Sequence, residues 1–153
     1  MTTHFTSGVT NVGAGSTLGR AKMPAPAKYH VYHNDFDTYL ASDWTITTTE
    51  GGSGNASEAL GDGDGGLLVI TNDDADNDND FLQLTKEGFK YEAGKQLAFN
   101  ARFKTSDADA SDVVMGLQIT DTSPLDVSDG IFFLLTDGST TLTFIVEKDV
   151  IFS

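Results

Sequence analysis

No cysteine occurs anywhere in the sequence. That absence excludes disulfides, thiolate zinc sites, iron–sulfur clusters and cysteine nucleophiles. It also leaves the chain indifferent to redox compartment. Basic residues are scarce: nine Lys and Arg stand against 23 Asp and Glu, a net charge of −14. A chain so charged is repelled by nucleic acid and by anionic membrane, so neither is expected as a partner. No apolar run reaches the roughly 18 residues that a bilayer-crossing helix needs. The first residues, Met1-Thr-Thr-His-Phe-Thr-Ser, lack a basic n-region and an apolar h-region and are not expected to act as a secretory signal. Glutamate is rare as well, at 5 of the 23 acids, the other 18 being aspartate. Aspartate belongs to turns and loops and glutamate to helices, so this ratio disfavours a helical fold.

What remains is enough for one domain. The chain has 153 residues, 39% of them hydrophobic, with ten Phe, four Tyr and one Trp to fill a single core. The charge is placed unevenly. Residues 1–34 hold Arg20, Lys22 and Lys28 and no acid, a charge of +3; with −14 overall, the rest carries −17. Residues 1–28 are rich in Thr, Ser, Gly and Ala, include Pro24 and Pro26, and show no apolar periodicity. They read as an extended, irregular N-terminal arm, with two readings open: a disordered tail, or one that orders on a partner. Its scattered apolar and basic residues, Phe5, Val9, Val12, Leu18, Arg20, Lys22 and Met23, are the candidates for docking on a partner surface.

From residue 29 the pattern turns to period two. Trp44-Thr-Ile-Thr, Leu67–Thr71, Phe81–Leu84, Leu97–Lys104, Val113–Thr120, Ile131–Leu135 and Leu142–Glu147 are short, β-branched or aromatic segments separated by Asp, Gly, Ser and Asn. That pattern predicts an all-β, antiparallel β-sandwich over 29–153. Ser53–Leu60 is expected to form at most one helical turn. Residues 60–66, Leu-Gly-Asp-Gly-Asp-Gly-Gly, predict a tight turn before a strand. The sequence is still apolar and strand-like in Val146–Ser153, so the last strand is expected either to pair with another chain or to belong to a sandwich incomplete at its C-terminal side.

Few constellations suggest chemistry. Asp74, Asp76 and Asp78 sit at i, i+2, i+4, as an EF-hand begins, but Asn79 stands where glycine and Thr85 where glutamate would be needed. A solvated acidic turn and an irregular Ca²⁺ site both remain open for this loop. No other cofactor is indicated. The five glutamates are isolated, so the facing carboxylates of a glycosidase are missing. His30 and His33 lack a third ligand for zinc. No Gly-x-Ser-x-Gly elbow supports a serine nucleophile. Gly13–Gly19 imitates a phosphate loop but has no preceding strand and no Lys-Ser/Thr after it. The chain is therefore expected not to be an enzyme. Tyr29, Tyr32, Phe36, Tyr39 and Trp44 crowd together; Phe36 and Trp44 are expected in the core, and Tyr29 and Tyr32 suit either core or sugar stacking.

Asn34-Asp-Phe-Asp-Thr-Tyr, Asp43-Trp-Thr, Gly65-Gly-Leu-Leu, Ala101-Arg-Phe-Lys, Gly116-Leu-Gln-Ile and Asp129-Gly-Ile-Phe-Phe, in that order, resemble concanavalin-like (laminin-G-like) jelly-roll domains. With the arm Thr3–Val12, Tyr29-His and Asp121-Thr-Ser-Pro-Leu-Asp-Val-Ser-Asp-Gly included, the chain resembles capsid decoration (cement) proteins of tailed bacteriophages of the cyanophage or marine phage type. The resemblance implies a jelly-roll sandwich on the outer capsid surface of a virion. It further implies a homotrimer whose arm docks on the major capsid protein and stabilises the shell. The alternative is a lectin-like, carbohydrate-binding module, calcium-dependent or not, with a glycan as its ligand.

Overall fold

A computed structural model describes residues 29–63, 65–72, 75, 77–107 and 110–148. The chain divides into two compact units, the first ending at Asp80 and the second beginning at Phe81. Regular structure is almost all strand: one three-residue 3-10 turn, Ala41–Asp43, precedes β1 (Trp44–Thr49), β2 (Ser57–Leu60), β3 (Leu68–Thr71), β4 (Asn79–Leu84), β5 (Val113–Gln118), β6 (Gly130–Leu135) and β7 (Thr143–Glu147). The fold is all-β with antiparallel pairing, as the period-two pattern predicts.

In the first unit β2 and β3 form an antiparallel hairpin, from Ser57 opposite Thr71 to Leu60 opposite Leu68. The connection closes with the Gly61 amide donating to the Leu67 carbonyl at 2.7 Å. Ser57–Leu60 is thus a strand and not the helical turn its residues suggest. Ser-Glu-Ala-Leu has no β preference of its own, and its extended form comes from the ladder to Leu68–Thr71. Within the expected turn, Gly65 and Gly66 take φ of 93° and 71°. Gly66 lies hard against the Asn34–Asp37 turn. A Cβ there would fall on the Asp35 carbonyl oxygen and within 2.7 Å of the Phe36 carbonyl carbon and the Asp37 nitrogen. That turn is itself unusual. Phe36 has φ of 58°, held by its amide donating to Asn34 Oδ1 at 2.8 Å. β1 and β4 form a two-stranded sheet.

The second unit is built on the sheet β5-β6-β7. β6 is the continuous apolar run Gly-Ile-Phe-Phe-Leu-Leu and carries the core residues Phe132 and Leu135; Val127 joins them from the loop before it. Opposed residues share a face. One face carries Val113 and Leu135, then Met115, Phe133 and Phe144, then Leu117, Ile131 and Val146, apolar throughout. The other carries Phe132, 1% exposed, opposite Gly116. A Cβ at Gly116 would lie 2.5 Å from the Ile131 oxygen and the Phe132 Cα, so glycine allows β5 and β6 to approach.

The loop from β5 to β6 contains the motif that begins at Asp121. The Ser123 amide donates to Asp121 Oδ1 at 2.8 Å, the Asp126 amide to the Ser123 carbonyl at 2.9 Å, and Gln118 Nε2 to the Pro124 carbonyl at 2.9 Å. These bonds seat Pro124 and Val127 as buried residues. Leu97–Lys104, expected as a strand, is irregular. Its alternation has a different origin. Phe99 and Phe103, with Met115, Phe133 and Leu142, line an apolar cleft of about 200 Å³. One row of the alternating side chains is used in the cleft without the backbone being paired.

Candidate functional site

Residues 29–80 hold twelve acids and neither Lys nor Arg. Within this first unit the fold gathers some of those acids from separate stretches of sequence. Thr48, near the end of β1, donates from Oγ1 to Asp80 Oδ1 on β4 at 3.2 Å. Asp78 Oδ1 accepts from the Gly51 amide, and Glu50 Oε1 accepts from the Ala56 amide at 2.5 Å. The first ties the 50–56 connection to the residue before β4, and the second folds that connection back on itself. Glu58, on β2, lies beside Asp80. The remaining oxygens, Asp78 Oδ2 and Asp80 Oδ2, are buried without a hydrogen-bond partner, as is the Tyr39 hydroxyl.

The electrostatics follow. Burial first, then the neighbouring Glu58 carboxyl and more weakly the charge of Glu50, push the Asp80 carboxyl up from the usual 3.8 to about 6, against the lowering effect of the Thr48 hydrogen bond. Tyr39 is raised by burial and then by the charges of Glu58 and Asp80. Among the described residues no three His, Asp or Glu side chains converge as a metal ion would need. Of the acidic-loop candidates, Asp78 is in this cluster, whereas Asp74 and Asp76 lie outside the described residues.

The aromatic group of the first unit is partly open. Trp44 and Phe36 are half-buried and stack with ring centroids 6.3 Å apart, and Tyr32 meets Trp44 edge-on at 6.4 Å. The expectation of Phe36 and Trp44 as core is met only in part, since they pack on each other and remain half open to solvent. The reason lies in the left-handed turn at Phe36, which sets its ring against Trp44. Tyr29 and Tyr32 are exposed, and Asn34 Nδ2 donates to the Tyr32 hydroxyl oxygen at 3.2 Å.

In the second unit the Tyr91 hydroxyl donates to the Leu117 carbonyl at 2.8 Å, fastening the segment after β4 to β5. The outward row of β7 is open: Phe144 is 58% and Val146 63% exposed. The docking candidates of the arm, Phe5, Val9, Val12, Leu18, Arg20, Lys22 and Met23, lie outside the described residues. Sequence reasoning missed Tyr39, Glu58 and Asp80 as a group. The one available signal was the long stretch of acids without a base. No protein-family model, no curated protein and no solved structure matches the chain.

Proposed function

We propose that the chain is a virion structural protein that decorates or cements a phage capsid. Its body is a jelly-roll sandwich on the outer surface, and its arm, residues 1–28, docks on the major capsid protein lattice. Copies gather in threes there, so that symmetric contacts multiply a weak affinity per subunit. The observation that carries this reading is how little apolar surface is enclosed among the described residues. Among the described residues the buried hydrophobic core is Val127, Phe132 and Leu135, while Leu60, Leu67, Val69, Ile70, Phe144 and Val146 stand exposed. Apolar surface left open on this scale marks association. The division of charge supports the same reading. An arm of +3 suits attachment, and an acidic body keeps decorated particles apart in solution.

The test is co-sedimentation with capsid shells stripped of this protein. The full chain is expected to pellet with the shells, and a variant lacking residues 1–28 to stay in the supernatant with its strand circular dichroism intact. Retained binding by the folded, shortened chain refutes the arm as the attachment.

A second reading, a lectin-like module, is favoured by the exposed Tyr29 and Tyr32 beside Trp44. Open aromatic faces of this kind stack on sugar rings. A glycan array, run with and without chelator, separates the two readings.

A further inference from the structure

We propose that the edge of β7, unpaired among the described residues, is a self-association surface, on which two copies of this chain pair β7 against β7, antiparallel, about a two-fold axis through Ile145. The inference goes beyond the capsid reading. It concerns the free protein and depends on neither the arm nor the shell.

β5 and β7 are the two edges of the three-stranded sheet. The residues of β5 are mostly half-buried, whereas four of the five in β7 are exposed. An edge strand in a protein that stays monomeric is normally blunted by proline, by a central lysine or by a bulge. Thr143-Phe-Ile-Val-Glu has none of these, and its pairing with β6 runs without interruption from Thr143 to Glu147.

The strand is also complementary to itself. A two-fold axis through Ile145 sets Phe144 opposite the second copy's Val146, and Val146 opposite its Phe144. Thr143 then faces Glu147, so no like charges oppose one another. The apolar rows Met115-Phe133-Phe144 and Leu117-Ile131-Val146 would continue across the axis into the second copy. A register slip of one residue would turn each Phe144 to the wrong face, so the pattern specifies the register.

Charge selects this edge over the exposed strands of the first unit. Two copies meeting through β3 would each bring a unit with twelve acids and only three bases. Residues 81–153 carry eleven acids and six bases, a much weaker repulsion.

The experiment uses the full chain, with analytical ultracentrifugation at micromolar to sub-millimolar concentration and thiol cross-linking. The chain has no cysteine of its own, so a single introduced thiol reports only its own neighbour. The wild type is expected to show twice the 16.3 kDa chain mass, and Val146→Lys to run as a folded monomer. Under mild oxidation Ile145→Cys is expected to form a disulfide-linked dimer, while Thr143→Cys stays monomeric, because each Thr143 faces Glu147 and not its own counterpart. A wild-type protein that remains monomeric throughout, or one of three-fold mass, overturns the proposal. So does a Thr143→Cys variant that cross-links as well as Ile145→Cys.

Discussion

Gly66→Ala is the perturbation that the first unit resists most strongly, and its effect can be worked out from the backbone. Gly66 has φ of 71°, a region in which an L-residue loses about 1–2 kcal/mol relative to glycine. The added Cβ also meets main chain. It falls on the Asp35 carbonyl oxygen and comes within 2.7 Å of both the Phe36 carbonyl carbon and the Asp37 nitrogen. Those atoms cannot swing aside as a side-chain tip does, because the Phe36 amide is tied to Asn34 Oδ1 at 2.8 Å. Overpacking of this kind costs about 1–3 kcal/mol. Together the two effects give about 3 kcal/mol, a large share of the roughly 5–15 kcal/mol that holds a typical domain folded.

Two other glycines separate the components. Gly94 and Gly138 have φ of 76° and 75°, close to that of Gly66, yet a Cβ at either meets nothing within 4 Å. Gly94→Ala and Gly138→Ala should therefore show only the conformational penalty, about 1 kcal/mol. The single tryptophan is well placed as the probe for Gly66→Ala, since Trp44 stacks on Phe36 in the turn that Gly66 supports. Denaturant titration followed by Trp44 fluorescence reads the first unit. Hydrogen exchange of β5, β6 and β7 reads the second unit for the two controls. If Gly66→Ala lowers stability no more than the controls do, the Asp35–Asp37 turn does not press on Gly66 and the account of this corner is wrong.

Two further outcomes follow from the same geometry. Gly116→Ala should lower the stability of the second unit by about 1–3 kcal/mol, because its Cβ would lie 2.5 Å from the Ile131 oxygen and the Phe132 Cα; hydrogen exchange in β5 and β6 checks it. Asp80→Asn should flatten the pH dependence of the first unit, read by Trp44. Asp80 is raised from 3.8 to about 6 in the fold, so the folded chain holds more protons than the unfolded one between those values. Its contribution to stability is therefore fully present below about pH 4 and lost as the pH rises through about 6. A shift of that size corresponds to at most about 3 kcal/mol, and solvent screening at this half-buried carboxyl reduces it to about 1.

The strands were legible wherever a segment carried its own pattern. Val113–Gln118 and Thr143–Glu147 alternate, and Gly130–Leu135 is a short continuous apolar run, so each could be read without its neighbours. The two departures share a cause. Ser57–Leu60 carries no strand pattern yet is a strand, because glycines let the chain turn back and Leu68–Thr71 supplies the ladder. Leu97–Lys104 carries a strand pattern yet is not one; Phe99 and Phe103 find the cleft beside Met115 and Phe133, and the backbone goes unpaired. Composition and period report what side chains face. They do not report whether a neighbouring strand offers its amides and carbonyls.

The acidic cluster was hidden for a related reason. Glu58 and Asp80 are 22 residues apart, on strands that are not consecutive, and each alone looks like a solvated surface acid. What the sequence does carry is a stretch, residues 29–80, with twelve acids and no Lys or Arg. Once such a stretch folds into one unit, its acids must spread apart, share protons or recruit positive charge from elsewhere. Asp80, beside Glu58, is raised toward neutrality. The bases missing from this stretch stand at Arg20, Lys22 and Lys28 and in residues 81–153. A charge count taken segment by segment therefore carries information that the net value of −14 conceals. It marks where carboxylates must find partners, and it sets the sheet edge at β7 outside the acidic stretch.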